Sequence, residues 1–547
     1  MQPSDDAPRG ARLAPEARLA LEARLSLEEW LFLAALILGW AVFVVAHGKD
    51  MSWDFRNYHW YIPYAFLNGR MAVDVAVAHQ ATFYNPFLDI PFYWLATHTH
   101  SWFALGVLGA VQGSNVVPIY LIARAVVVSE HKKIIAAIIA LLALTGSLTV
   151  SLAGATYYDD VMSVFVLAGL ALVITQRDVL RDGPLWRGMV VAGIAGLLTG
   201  SAVGLKLPEA PFALGFAAAL AILPGDGRHR STRLVAGGLG GVVGVALFAA
   251  YWFVKMQHLT GNPLFPYFNE YFHSPLALTA SYRDMRFIPT DLKHQLLFPL
   301  LFSVDWGVAD DLPFQDIRVG LAYVLVILTL PLWYFGRKAR EPMIDTPVAA
   351  ALFAFVIVAY IAWLKIFGIY RYILLLEMIA PLAIYVAVSL VPTSVRARLV
   401  TIAVLLLGVL ATTRAGLLAR APLGDPYIQV TIPPIANPDT TMLLMTGEAP
   451  MGYLAPSFPP RIPILRIDGW MIQPQDGSKL TAETRSRVDA FKGDLYAIFI
   501  PYEAARNRDA LAVYGLAIRA PDCRDMVTNL GGLYQFCPVI RSSSPKP

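Results

Sequence analysis

The sequence predicts an all-α polytopic membrane bundle followed by a small α/β domain at the C-terminus. Of the 547 residues, 57% are hydrophobic and only 15% are charged, whereas soluble proteins average about 25% charged residues. The apolar residues form runs that approach the roughly 20 residues a helix needs to cross a bilayer. We predict about eleven transmembrane helices, at 28–46, 102–123, 134–152, 161–176, 188–204, 208–223, 234–254, 317–335, 347–366, 372–391 and 399–415.

The loops between these spans differ in charge, which indicates their side of the membrane. Lys and Arg concentrate in cytoplasmic loops, and with the N-terminus inside every second loop is basic. These loops carry Arg124, Lys132 and Lys133; Arg177, Arg181 and Arg187; Arg228, Arg230 and Arg233; Arg337, Lys338 and Arg340; and Arg396 and Arg398. The basic residues form no single patch, which argues against nucleic-acid binding.

This alternation predicts a multi-pass protein of the cytoplasmic membrane. Residues 1–27 are expected to form a retained cytoplasmic segment, residues 28–415 the membrane domain and residues 416–547 a domain on the periplasmic or extracellular side. Two long outer loops, 47–101 and 255–316, are rich in Trp, Tyr, Phe and Pro. Aromatic side chains favour the headgroup region, so we expect short interfacial helices in the first loop.

The tail has the composition of a soluble domain. Its apolar runs at 441–446, 462–467, 494–500 and 516–519 alternate with helix-like stretches at 480–492 and 502–513, which is typical of an α/β fold. This domain either caps the bundle or shapes an acceptor site.

The tail also holds both cysteines, Cys523 and Cys537. We predict a disulfide, because an oxidising compartment permits one; two unpaired buried thiols are the alternative.

The first outer loop begins with an acidic residue among large aromatic residues, in the sequence Trp53-Asp54-Phe55-Arg56-Asn57-Tyr58-His59-Trp60-Tyr61. Asp54 follows the first span closely, where these neighbours can hold it in a shallow cleft. A general base that takes a proton from an acceptor hydroxyl fits this position, and a helix N-cap is the alternative. Tyr58 and His59 are candidate substrate contacts, with His59 orienting or packing rather than catalysing. Asp89, later in the loop, is expected to be structural.

Two further outer segments carry acidic candidates. Asp159 and Asp160 are adjacent at the start of a span, where they could hold a divalent cation, Mg²⁺ or Mn²⁺, through oxygen ligands, or contact a sugar. Capping of the following helix is the alternative. In the second long loop, Asp305 and Trp306 could face a sugar, or belong to a lid anchored by buried aromatic residues.

Two cations also lie at outer turns. Lys206 falls between two spans, and Arg371, followed by Tyr372, begins a late span. Arginine suits bidentate binding of phosphate, so the two cations together could clamp a phosphate group. The alternatives are side chains that extend to the lipid headgroups and, for Lys206, an ion pair with Glu209.

In this order the motifs resemble the GT-C glycosyltransferases, membrane enzymes that take a sugar from a polyprenyl-phosphate donor. The resemblance covers about residues 27–415. It rests on four short motifs: Trp53-Asp54-Phe55-Arg56-Asn57-Tyr58 followed by Leu67-Asn68-Gly69-Arg70, Asp159-Asp160, Gly261-Asn262-Pro263-Leu264-Phe265-Pro266, and Arg371-Tyr372 with Pro381.

The resemblance implies a GT-C-like bundle and a role for each matching residue. Asp54 is then the base for the acceptor, Asp159 or Asp160 binds metal or substrate, and Lys206 and Arg371 lie near the donor phosphate. Some members carry an Asp-Glu pair at the second position, so the two adjacent aspartates depart from that pattern.

The resemblance implies a glycosyltransferase of cell-envelope synthesis that acts on the outer face of the membrane, and attack opposite the leaving phosphate would make it inverting. Its partners are a polyprenyl-phosphate-linked sugar, membrane lipid, and a glycan, lipid or protein acceptor with a free hydroxyl. The leaving phosphate needs charge stabilisation more than protonation.

Three other classes of protein stay open: a transporter or flippase of lipid-linked sugars, an O-antigen ligase or polymerase that uses a pyrophosphate-linked donor, and a receptor or scaffold. Against a transporter, the polar residues concentrate on one side rather than near the midplane.

Overall fold

A computed structural model describes residues 25–335, 341–416 and 418–542, apart from the side chain of Trp333. Most of the predicted N-terminal segment and the basic residues Arg337, Lys338 and Arg340 lie outside the described residues. The described chain forms a helical bundle followed by a small mixed sheet with two helices.

Seven helices among the described residues are long and apolar enough to cross a membrane: Leu27–His47, Ser101–Val126, Leu185–Leu205, Gly227–Thr260, Thr346–Ile366, Tyr370–Ser389 and Val395–Thr412. They coincide with seven of the predicted spans and indicate a membrane protein. The other four predicted spans correspond to shorter helices, namely Lys132–Ala143 with Ser147–Ser151, Asp159–Thr175, Ala210–Ile222 and Arg318–Tyr334. The count of eleven, and the sidedness derived from it, stay predictions.

The predicted span 134–152 differs from expectation because the chain breaks near Gly146. The carboxylate of Glu377, on a distant helix, accepts hydrogen bonds from the backbone N–H groups of Leu148 (3.3 Å) and Thr149 (3.0 Å). A Cβ atom at position 146 would lie 1.9 Å from that carboxylate. Glycine therefore lets the buried acid approach and satisfy the free N–H groups of the new helix start.

The two long outer loops hold short helices. Tyr61–Leu67 and Ile90–His98 lie in the first loop, and Asn269–Phe272 and Leu292–Val304 lie in the second. A further short helix, Arg177–Asp182, connects two helices of the bundle. The first loop thus contains the short helices predicted for it.

Eight strands are present in the described residues. The first two, β1 (Lys49–Asp50) and β2 (Arg420–Ala421), pair antiparallel and join the first outer loop to the start of the tail. The others form one sheet with the order β4-β3-β5-β8-β6, and β7 pairs with β8. Their bounds are β3 (Thr441–Met445), β4 (Ile464–Arg466), β5 (Asp494–Phe499), β6 (Leu516–Ile518), β7 (Arg524–Val527) and β8 (Leu533–Arg541).

The tail has the α/β architecture that the sequence predicts. Strand β3 runs parallel to its neighbours β4 and β5, while β8 is antiparallel to β5. Helices Lys479–Ala490 and Ala504–Val513 follow β4 and β5. Cys523 and Cys537 form the predicted disulfide, which ties the segment before β7 to β8.

The C-terminal domain packs directly on the first outer loop. Arg70 donates a hydrogen bond of 2.6 Å to the carbonyl oxygen of Ile462, and Arg466 donates one of 3.0 Å to that of Val77. Both arginines are buried. The first outer loop is therefore held between the bundle and the sheet, and this arrangement fixes the surroundings of Asp54.

Candidate active site

Asp54 opens a π-helical turn, Phe55–His59, a conformation that is frequent at functional sites. Its side chain makes no capping hydrogen bond, so the N-cap alternative does not describe it. Instead its carboxylate accepts a hydrogen bond of 3.0 Å from the hydroxyl of Tyr58 and lies 3.5 Å from a guanidinium nitrogen of Arg371. The carboxylate is 20% exposed, so a substrate hydroxyl can reach it.

Arg371 stands between two acidic residues. Its Nη1 faces Asp54, and its Nε lies 3.7 Å from the carboxylate of Asp159. The guanidinium lies 4.1 Å from the ring centroid of Tyr157, and the backbone N–H of Arg371 donates a 2.8 Å hydrogen bond to Asp310. Among the described residues, Nε of Arg371 has no hydrogen-bond partner although it is buried. This donor faces the Asp159 carboxylate, 3.7 Å away, which is itself buried with one oxygen unpaired among the described residues.

Lys206 completes the charged cluster. Its ammonium donates to the carboxylate of Asp159 and, at 2.8 Å, to the carbonyl oxygen of Tyr157. No ion pair with Glu209 is found in the part of the chain that the structure describes, so the alternative pairing for Lys206 is not the one formed. Tyr158, which precedes Asp159, has a φ of 62°. This strained conformation, which costs on the order of 1 kcal/mol, turns Asp159 towards both cations.

The two adjacent aspartates face different surroundings. Asp159 is paired with Lys206 and Arg371, whereas Asp160 accepts a hydrogen bond of 2.9 Å from the backbone N–H of Val161. The described residues contain no group of three or more His, Cys, Asp or Glu side chains arranged around one point. A cation bound at Asp159 would have to displace the Lys206 ammonium, and the binding of Mg²⁺ or Mn²⁺ at this pair stays a prediction.

A cavity of about 170 Å³ opens beside the cluster. Tyr58, His59, Lys206 and Tyr372 all line it, together with Asp89. Pockets for drug-sized ligands usually measure about 300–1,000 Å³, so this cavity admits only part of a large ligand. The Lys206 ammonium also lies 5.4 Å from the ring centroid of Tyr372. Six of the predicted site residues, Asp54, Tyr58, Asp159, Lys206, Arg371 and Tyr372, therefore meet at one place.

No family model matches this chain, and neither the curated proteins nor the solved structures include a significant match to it. The chemistry of the site must therefore be argued from its geometry.

His59 lines the same cavity and is held by Asp89. The Nδ1 atom of His59 and a carboxylate oxygen of Asp89 are 2.6 Å apart. Among the described residues, Nε2 of His59 is buried without a hydrogen-bond partner. Burial raises the pKa of Asp89, and the neighbouring His59 opposes that rise. The sequence analysis predicts a structural role for Asp89. In the structure, Asp89 orients the imidazole of His59.

Asp305 and Trp306 lie apart from this cluster. Asp305 accepts a 3.0 Å hydrogen bond from the backbone N–H of Gly307, and Trp306 is 39% exposed. Neither residue lines the cavity. The position of Asp305 and Trp306 therefore does not support the sugar contact predicted for them.

Sequence reasoning missed the role of Asp310. Its carboxylate accepts the backbone N–H of Arg371 at 2.8 Å and that of Leu312 at 3.0 Å, which fixes the start of the turn that carries the guanidinium. Burial raises the pKa of Asp310 to about 6, although the nearby Arg371 opposes the rise. The only signal in the sequence is the adjacent pair Asp310-Asp311, which does not distinguish the anchoring acid from its exposed neighbour.

Proposed function

We propose that the protein is a glycosyltransferase that moves a sugar from a polyprenyl-phosphate donor to an acceptor hydroxyl on the outer face of the membrane. The observation that carries the proposal is the contact between Asp54 and Arg371, 3.5 Å apart in a partly exposed site. It places a proton acceptor beside a cation suited to phosphate, as the reaction requires.

The proposed reaction is a single displacement. The acceptor oxygen attacks the anomeric carbon and forms the new glycosidic bond, while the bond from that carbon to the phosphate oxygen breaks. The acceptor proton passes to the Asp54 carboxylate, and the bonding electrons leave with the polyprenyl phosphate. Attack opposite the leaving group inverts the anomeric centre.

The charge of the cluster suits this step. Asp54 and Asp159 formally balance Arg371 and Lys206, so the resting cluster is near neutral. When Asp54 takes the proton, the cluster gains one positive charge. At the same moment the leaving group changes from a phosphodiester with one negative charge to a phosphomonoester with nearly two. The site thus becomes more attractive to the leaving group as the transition state forms.

The surroundings also suit a lipid-linked donor. A groove of about 540 Å³, lined by apolar residues except Thr199, lies between the helices Leu185–Leu205, Ala210–Ile222 and Gly227–Thr260. Phe253 lines both this groove and the cavity beside Lys206. A lipid phosphate in the cavity can therefore extend its hydrocarbon chain along the groove.

The test is incubation of the purified protein in lipid nanodiscs with a panel of polyprenyl-phosphate sugars and their pyrophosphate counterparts, with candidate acceptors. Release of free polyprenyl phosphate from one monophosphate donor, with a glycosylated product, is the expected result. Consumption of pyrophosphate donors alone would favour the ligase or polymerase class. If no donor is consumed, movement of intact lipid-linked sugar across the bilayer is measured next, because a positive result there would establish the transporter.

A further inference from the structure

A second cleft lies beside Trp53 and Arg56, between the first outer loop and the C-terminal domain. Its volume is about 600 Å³, larger than the cavity beside Lys206. The membrane domain contributes Trp53 and Arg56, and the C-terminal domain contributes Glu448, Trp470 and Tyr502. Because both domains supply walls, the cleft exists only when they are packed together.

The C-terminal residues of this cleft come from one edge of the sheet. Glu448 follows β3, Trp470 follows β4 and Tyr502 follows β5. These three strands are parallel, so their carboxyl ends share one edge. Ligands of open α/β sheets bind in crevices at that edge.

The cleft presents aromatic surface to the solvent. Trp53 and Trp470 stack with ring centroids 4.9 Å apart and an angle of 15° between their planes. Trp470 nevertheless remains 48% exposed, and Tyr502 is 82% exposed. Exposed aromatic rings rimmed by polar groups mark binding sites, and a flat ring face suits the apolar face of a sugar ring.

The polar groups of the cleft have unused hydrogen-bonding capacity. Among the described residues, Nε of Arg56 and one carboxylate oxygen of Glu503 are buried without a hydrogen-bond partner. The first is a donor and the second an acceptor. Arg506 contacts Glu448 at 2.6 Å and also binds Asp468 at 2.6 Å, so these three charged side chains are tied together beside Trp470. Vicinal hydroxyls, which both donate and accept, satisfy such a mixed set.

We propose that this cleft binds the sugar rings of a glycan acceptor. The inference deepens the proposed function and rests on it for the role of acceptor. Trp53 and Arg56 line the cleft, while Tyr58 and His59 line the cavity of the donor phosphate. Asp54 directly follows Trp53 in the chain, and its carboxylate accepts the hydrogen bond of Tyr58, so the proposed base has a neighbour in each of the two sites.

The test measures binding of soluble oligosaccharides to the full chain by saturation-transfer NMR and calorimetric titration. The probes are cellotetraose, maltotetraose and chitotetraose. Phosphatidylcholine nanodiscs replace maltoside and glucoside detergents, whose sugar headgroups would occupy the site. The variants are Trp470→Ala and Arg56→Ala. The matched control is Trp94→Ala, because Trp94 is similarly exposed (52%) and does not line the cleft.

At least one probe is expected to bind the wild type, with affinity lowered tenfold or more by Trp470→Ala and by Arg56→Ala but unchanged by Trp94→Ala. Unchanged melting temperatures exclude a folding defect as the cause. Absence of binding by every probe, or equal affinity in Trp470→Ala, overturns the inference.

Donor cleavage, measured on the same preparations, separates this inference from the proposed function. If the wild type releases polyprenyl phosphate but binds no probe, the cleft is not a glycan site and the proposed function stands. If a probe binds through Trp470 but no donor is consumed, the cleft is a glycan site and the proposed function fails.

Discussion

Asp54 is surrounded by groups that decide what its carboxylate can do. The Tyr58 hydroxyl donates a hydrogen bond to it, and the Arg371 guanidinium lies 3.5 Å away. Arg371 in turn joins Asp54 to Asp159, and Lys206 extends the chain of charges to the edge of the cavity. Each side chain of this cluster orients the next, so substitutions within it are expected to have non-additive effects.

Arg371→Lys tests the fork of the guanidinium. Lysine keeps the charge, but its single ammonium cannot face Asp54 and Asp159 at once while also contacting a phosphate. We expect kcat for transfer to fall on the order of 10²-fold, as for the loss of one transition-state donor. Arg286→Lys, at an exposed arginine of the second outer loop, is the matched control. Equal kcat in Arg371→Lys and the wild type would remove the fork from the mechanism.

The separate positions of these residues explain what the sequence could predict about the site. Asp54 and Arg371 are 317 residues apart, and the sequence analysis paired Arg371 with Lys206 rather than with Asp54. The sequence could not predict that Asp310 anchors Arg371, because this contact depends on the path of a long loop. Asp305 and Trp306 share the composition of a sugar site but lie on an exposed turn. Residue type alone could not distinguish the residues of the charged cluster from Asp305 and Trp306, which lie outside it.

Asp310, which anchors the turn that carries Arg371, contributes to the pH dependence of stability. The pKa of Asp310 is raised to about 6 from an ordinary value of 3.8, so between these values the folded state binds a proton that the unfolded state releases. The free energy of unfolding therefore falls as the pH rises through this window, by about 3 kcal/mol for a shift of this size.

Asp310→Asn should abolish this pH dependence because asparagine does not titrate. Its one carbonyl oxygen can accept the backbone N–H of Arg371, whereas its amide nitrogen cannot accept that of Leu312. The measurement is the melting temperature of the wild type and the variant from pH 4 to pH 6. We expect a smaller loss of stability in the variant over this range. Asp311→Asn, at the exposed neighbouring acid, should behave as the wild type. Parallel profiles for Asp310→Asn and the wild type would contradict the assignment.

Two helices and four strands of the tail were predictable because their signals are local, whereas β7 and β8 were not predicted. The predicted runs at 441–446 and 494–500 match β3 and β5 within a residue or two. The break near Gly146 was not predictable, because its cause is the carboxylate of Glu377, about 230 residues later in the chain. An apolar run looks the same whether or not a distant acid interrupts the helix.

The disulfide stabilises the packing of β7 on β8. Cys523 and Cys537 are 14 residues apart, and closing a loop of this size contributes about 3 kcal/mol. The double variant Cys523→Ser/Cys537→Ala should therefore melt at a lower temperature than the wild type. A reducing agent should lower the melting temperature of the wild type and leave that of the double variant unchanged. Equal melting of both proteins without the reducing agent would show that the bond contributes nothing.

The orientation of the whole molecule is tested by labelling with a membrane-impermeant maleimide. Both native cysteines are in the disulfide, so a single new cysteine gives a clean signal. We expect Lys492→Cys, on the exposed surface of the C-terminal domain, to react in intact cells with a permeable outer envelope. Glu130→Cys, in a predicted cytoplasmic loop, should react only after lysis. The reverse pattern would place Asp54 on the cytoplasmic side and contradict the use of an outward-facing lipid donor.

The central claim is that Asp54 is the base of a transferase that uses a lipid-phosphate sugar. The most direct test measures formation of glycosylated product and release of polyprenyl phosphate by the wild type, Asp54→Asn and the control Asp311→Asn. Asparagine preserves the shape of the side chain but accepts no proton, so we predict a fall in kcat of about 10²–10⁴-fold, with an unchanged melting temperature and full activity in the control. Full activity of Asp54→Asn would contradict the account.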